Sequence, residues 1–172
     1  MLISLVGYMG SGKTSVASVL SAKLQCPWVD LDYEIESFEK NQISEIFKQK
    51  GEIYFRKLEN QLLSKLLETP RPMVLSLGGG APMFYDNMAQ LLAKTQSFYL
   101  YAPPSELAQR LAKGKAQRPL IRHLADEDLP EFIAKHLFER NAKYQMAKYT
   151  INTQGLAPEQ VADEIARKLG LG

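Results

Sequence analysis

Residues 7–14 read Gly-Tyr-Met-Gly-Ser-Gly-Lys-Thr and fit the pattern G-x-x-x-x-G-K-[ST]. An apolar run of strand length, Leu2–Val6, comes before them, and a helical pattern follows, with Val16, Ala17, Val19, Leu20 and Leu24 at helical spacing. Few local patterns restrict a fold as strongly as a strand, a glycine loop and a helix in that order. Glycines let the backbone wrap a polyphosphate with amide N–H groups turned inward, and the helix adds the positive end of its dipole. A chance glycine-rich turn would need neither the strand nor the helix.

The rest of the chain alternates in the same way. Trp28–Leu31, Met73–Leu77, Ser97–Tyr101 and Tyr149–Asn152 read as further strands. Helical patterns cover 33–50 in one or two pieces, a stretch from Gly51 closed by Pro70 and Pro72, 84–94, Pro103 to about Lys113, about 127–146, and a terminal helix opened by Pro158. This alternation predicts an α/β protein with a parallel sheet covered by helices on both faces. Ligands of such sheets bind beyond the carboxyl ends of the strands. The first loop, Asp30 with Asp32, and a glycine triplet in Leu75-Ser76-Leu77-Gly78-Gly79-Gly80-Ala81-Pro82 all fall at those ends.

The chain has 172 residues, a usual length for one domain. Its 21 basic and 19 acidic residues leave a net charge of +2, which gives no reason to expect nucleic acid or a membrane surface as partner. No apolar run approaches the roughly 18–20 residues that span a bilayer. The N-terminal run lacks a basic flank and leads directly into the phosphate loop, so it is read as structure and not as a signal peptide. Cys26 is the single cysteine, which excludes an internal disulfide and disfavours a cysteine zinc site. A cytoplasmic location is expected.

Lys13 is expected to reach the β- and γ-phosphates of a nucleoside triphosphate, and the Thr14 hydroxyl to ligate Mg²⁺. Gly10, Ser11, Gly12 and Ser15 complete the predicted phosphate contacts. Two residues apart on a strand, Asp30 and Asp32 would point to the same side. One could hold Mg²⁺ through water and the other accept a proton from an attacking hydroxyl; alternatively, Asp32 caps the helix beginning near Tyr33. Arg56 sits among apolar and aromatic residues with Glu59 three positions on. It is either a surface residue with a buried stem or a bidentate grip on a carboxylate, held in place by Glu59.

Arg118 lies in an aperiodic basic segment, Gly114–His123, which is either a solvated face or a mobile loop closing over the phosphates. Arg140, taken alone, is a helix-end cation. His123 and His136 have no metal-ligand spacing; His123 reads as a loop residue and His136 as a helix-surface or packing residue. The glycine triplet lacks the Lys-Ser/Thr of a phosphate loop. It is either a plain turn or bare backbone that offers N–H groups to an acceptor, with Gly79 and Gly80 the expected contacts and Gly78 close by.

These stretches, in this order, resemble the shikimate kinase family over nearly the whole chain. The resemblance rests on GYMGSGKT, DLD, IFKQKGEIYFRKLE, LGGGAP, RPL and ERNAKY. It implies a three-layer P-loop kinase fold like that of nucleoside monophosphate kinases, with a five-stranded parallel sheet. Residues 1–172 would form a single domain with a substrate-binding segment at about 32–60 and a lid at about 112–124. It also implies transfer of the ATP γ-phosphate to the 3-hydroxyl of shikimate, on the route to chorismate and the aromatic amino acids, by a monomer.

On that resemblance Lys13, Asp32 and Arg118 are catalytic. Thr14 ligates a single Mg²⁺ ion with help from Asp30 through water. Arg56 and Arg140 hold the substrate carboxylate, Phe47 and Phe55 wall the pocket, and Arg110 and Gln154 lie on the nucleotide side. The family's R-x-P-L-Y here becomes Arg140-Asn141-Ala142-Lys143-Tyr144, without the proline. A gluconate-kinase-like enzyme of the same fold would have less use for Arg56 beside the glycines. A nucleoside monophosphate kinase would have to accept a second nucleotide. A non-catalytic nucleotide-binding module would not need Asp32, Arg56 and Arg118 together.

Overall fold

The computed structural model describes residues 1–171. Five strands, β1 (Leu2–Val6), β2 (Trp28–Asp30), β3 (Met73–Ser76), β4 (Gln96–Tyr101) and β5 (Tyr149–Asn152), form one sheet in the order β2-β3-β1-β4-β5. Every neighbouring pair is parallel; Leu5 lies opposite Ser76 on one side and Phe98 on the other. Parallel sheets of this kind are buried on both faces, and strand alternation sorts the side chains between them. Ile3, Leu5, Val74, Phe98, Leu100 and Ile151 pack with helices α1 (Lys13–Leu24) and α7 (Pro158–Lys168). Val6, Leu75, Leu77 and Tyr99 pack on the opposite side, with α3 (Ile43–Leu67), α4 (Asn87–Lys94), α5 (Pro104–Ala112) and α6 (Leu129–Tyr144).

The predicted strand Trp28–Leu31 ends one residue early, because Leu31 opens helix α2 (Leu31–Glu39). The cap is Asp30, not Asp32. Its carboxylate accepts a hydrogen bond from the Asp32 amide at 3.0 Å, as an N-cap aspartate does. Asp32 therefore lies in the first helical turn, where the dipole favours a carboxylate. Strand alternation is thus not what brings the two acids together.

Helix α3 is interrupted at Gly51, whose φ of 81° and ψ of 172° no helix accommodates. The break divides the segment carrying Phe47 from the one carrying Arg56. The predicted helix over 84–94 begins only at Asn87, after a short 3-10 turn at Ala81–Met83 that contains Pro82. The long pattern at 127–146 contracts to α6, preceded by a 3-10 turn at Asp126–Asp128. Residues 112–124 hold one 3-10 turn, Lys115–Gln117, and are tied by Lys115, which donates to the Leu124 carbonyl at 2.7 Å. No helix among the described residues is long and apolar enough to cross a membrane.

Candidate active site

A cleft of about 380 Å³ opens at the carboxyl edge of the sheet. The 7–14 loop and the start of α1 form one wall, Asp30 and Asp32 a second, and Ser76 to Gly79 the floor; Arg110 and Arg118 close it from above. Lys13 is buried at the loop's centre and donates to the carbonyls of Gly7 at 2.8 Å and Tyr8 at 2.9 Å. Burial lowers its pKa to about 8, against the opposing pull of Asp32 and Asp30. Ser11 is buried behind the loop, with Lys13 Nζ 3.5 Å from its hydroxyl.

Asp30 organises the cleft's acidic corner. One carboxylate oxygen accepts from the Thr14 hydroxyl at 3.0 Å and from the Ser76 hydroxyl at 3.1 Å. Ser76, which ends β3 and is buried there, carried no signal in the sequence. Asp32 stands beside this corner with its pKa pushed up to about 6, first by burial and then by the Asp30 charge; Lys13 and Arg56 pull the other way.

The glycine triplet explains itself by what presses on it. A β-carbon on Gly78 would lie 2.5 Å from an Asp32 carboxylate oxygen, and one on Gly80 would lie 2.6 Å from Arg56 Nη2. Neither glycine has a positive φ, so close approach and not a special turn requires them. Gly78 and Gly79 line the cleft. Gly80 does not; it backs onto Arg56, where the absence of a β-carbon leaves room for the guanidinium.

Arg56 is nearly buried. It donates to Glu59 at 2.8 and 3.1 Å, and its guanidinium carbon lies 4.1 Å from the centre of the Phe84 ring, 5.1 Å from Phe55 and 6.0 Å from Phe47. Phe47 and Phe55 pack against each other with centroids 4.5 Å apart. Arg56 Nε has no hydrogen-bond partner. Burial pushes the Glu59 carboxyl upward while Arg56 draws it back. Phe84, the nearest ring, had no signal in the sequence; it arrives from a loop on the other side of the glycines.

Arg140 does not line the 380 Å³ cleft. It is carried by α6, and its charge acts on Lys13, Tyr8 and Tyr144. No ion pair joins Arg140 or Arg118 to a carboxylate among the described residues. Arg110 donates to the carbonyls of Gly10 at 3.3 Å and Thr153 at 3.1 Å, and is paired with Glu106. Gln154 is exposed and lies outside the main cleft, in a neighbouring open groove shared with Arg110 and Gly155.

A phosphate loop at the carboxyl end of the central strand of a five-stranded parallel sheet, facing an acidic corner, defines a P-loop kinase. The chain belongs to the shikimate kinase family, whose model matches residues 9–170. A shikimate kinase of Flavobacterium psychrophilum is 41% identical over 168 residues, covering 97% of this chain and 98% of the relative. The crystal structure of shikimate kinase from Bacteroides thetaiotaomicron superposes with a TM-score of 0.93 at 35% identity, over 99% of both chains. That of Acinetobacter baumannii shikimate kinase in complex with shikimate gives 0.88 at 34% identity, over 98% of this chain and 92% of that one.

Proposed function

We propose that the chain transfers the γ-phosphate of ATP to the 3-hydroxyl of shikimate, serving chorismate and aromatic amino acid synthesis. The observation that carries this reading is Arg56. A buried guanidinium, braced by Glu59 and pressed against Gly80, lies within electrostatic reach of Asp32. An acceptor that offers a carboxylate to the arginine and a hydroxyl to the aspartate fits that pairing.

In this reading Arg56 and Arg140 hold the acceptor's carboxylate, and Phe47 and Phe55 wall its ring. Asp32 accepts a hydrogen bond, and then the proton, from the attacking hydroxyl. Lys13 and Arg118 neutralise charge on the transferring phosphoryl group, and the backbone of Gly10 to Ser15 holds the phosphates. Arg110 and Gln154 flank the nucleotide. Phosphoryl transfer passes through a loose transition state, so alignment of the two substrates matters at least as much as base strength. Residues 112–124 act as the lid that excludes water, which would otherwise compete as acceptor.

The Thr14 hydroxyl and Asp30 carboxylate, 3.0 Å apart at the cleft wall, are hard oxygen donors that suit Mg²⁺. Thr14 would hold the ion and Asp30 one of its waters. The ion would supply neutralisation of the negative charge of the phosphates. In the same reading the protein is a monomer of the cytoplasm.

A coupled ADP-release assay tests the reading. ADP release with ATP and Mg²⁺ should require shikimate and cease with chelator. Release with gluconate or a nucleoside monophosphate in its place would overturn the assignment. The pH dependence of kcat/KM adds a second test, because it reports the free enzyme. Asp32 must be ionised to accept the proton, so activity falls as pH drops through about 6. Lys13 must be protonated to hold phosphate, so activity also falls as pH rises through about 8. A profile flat from about pH 5 to 9 would contradict both roles.

A further inference from the structure

Helix α6 does more than deliver Arg140. His136, Arg140 and Tyr144 follow one another at four-residue spacing and share one helical face, and Asn141 adjoins Arg140. Three of the four are hydrogen-bonded to three different segments of the chain. His136 Nδ1 and the Tyr8 hydroxyl, in the phosphate loop, are 2.8 Å apart. The Tyr99 hydroxyl of β4 donates to the Asn141 side-chain oxygen at 3.0 Å. The Tyr144 hydroxyl donates to the carbonyl of Gly79 at 2.5 Å. Tyr8 and Tyr144 are fully buried.

We propose that His136 is a positioning residue, whose hydrogen bond to Tyr8 fixes the distance between the phosphate loop and the arginine that α6 carries. The inference rests on the shikimate kinase reading above.

The Tyr8 carbonyl accepts from Lys13 and from the Ser11 amide, so Tyr8 is built into the loop's phosphate-facing frame. Its side chain reaches to the one imidazole on α6. That ring is seated edge-on to Tyr8, with centroids 5.4 Å apart, and against Phe132 at 5.6 Å. Arg140 is one turn further along the same face. The Tyr144–Gly79 bond holds the C-terminal end of the helix to the acceptor floor, while His136 holds its middle to the phosphate loop. A helix anchored at its middle and at its C-terminal end, on either side of Arg140, sets how far the acceptor's carboxylate stands from the γ-phosphate. Losing one anchor leaves each substrate its own contacts and loosens their mutual alignment.

The experiment compares His136→Phe, His136→Asn and Tyr8→Phe. Phenylalanine keeps the ring and removes the hydrogen bond; asparagine restores an oxygen near the Nδ1 position. For His136→Phe we expect kcat to fall about fivefold to tenfold, with the separate dissociation constants for ATP and shikimate within about twofold of the parent's. His136→Asn should recover most of the loss, and the Tyr8→Phe/His136→Phe double variant should be no slower than the slower single variant.

Unchanged kcat in His136→Phe overturns the proposal. So do losses that multiply in the double variant, or a loss confined to the binding of one substrate. Melting curves of each variant separate misalignment from unfolding. Failure of shikimate to act as acceptor for the parent enzyme would instead overturn the underlying reading.

Discussion

Replacing Asp32 with asparagine should lower kcat by about a hundredfold to a thousandfold while ATP binding survives. Asparagine keeps the shape that Gly78 makes room for and removes the group able to take a proton. The variant should not be less stable. Burial raises the Asp32 pKa from 3.8 to about 6, so the folded state disfavours its charge. The stability lost at this position accumulates as pH rises from 3.8 to about 6 and is absent below that range. Asparagine carries no charge to penalise, so at neutral pH the variant should melt at or above the parent's temperature. Single-turnover kinetics, nucleotide titration and a melting curve check the three parts. Parent-like turnover would remove Asp32 from the chemistry.

Arg56→Ala should raise the shikimate dissociation constant about a hundredfold and leave that for ATP within about threefold, since two charge-assisted hydrogen bonds to a carboxylate would be lost. The same change leaves Glu59, 1% exposed, without its counter-ion. A destabilisation of about 3 kcal/mol is expected from stranding a buried carboxylate. Arg56→Lys separates the two effects. Lysine keeps a cation beside Glu59 but cannot offer a planar fork, so stability should largely return while shikimate affinity stays low. A defect in ATP affinity alone would refute the carboxylate role, and calorimetric titration of each ligand distinguishes the cases.

Much of this molecule was legible in one dimension because its signals are local. The phosphate loop lies between strand and helix, and the five strands fall where apolar runs and helix breaks put them. Boundaries were misread where a side chain overrode a run. Asp30 caps α2 and so ends β2 before Leu31, which moved Asp32 from a strand to a helix while leaving it in the cleft. The Arg56–Glu59 pairing was legible because it is three residues long on one helix face. The Phe84 ring over Arg56, the Ser76 hydroxyl on Asp30 and the Tyr8–His136 bond join segments 28, 46 and 128 residues apart. No local pattern encodes such pairs.

The glycine triplet shows where the boundary lies. The amino-acid sequence by itself determined that Gly78 to Gly80 end a strand near the acidic residues, and that the first loop has the form of a phosphate loop between strand and helix, because backbone geometry and glycine spacing are local properties. Only the tertiary structure decided why each glycine stands where it does. An Asp32 carboxylate oxygen and an Arg56 nitrogen, delivered by α2 and α3, occupy the space a β-carbon would fill at Gly78 and Gly80. That reason is steric exclusion between distant segments, and it exists only once the chain has folded.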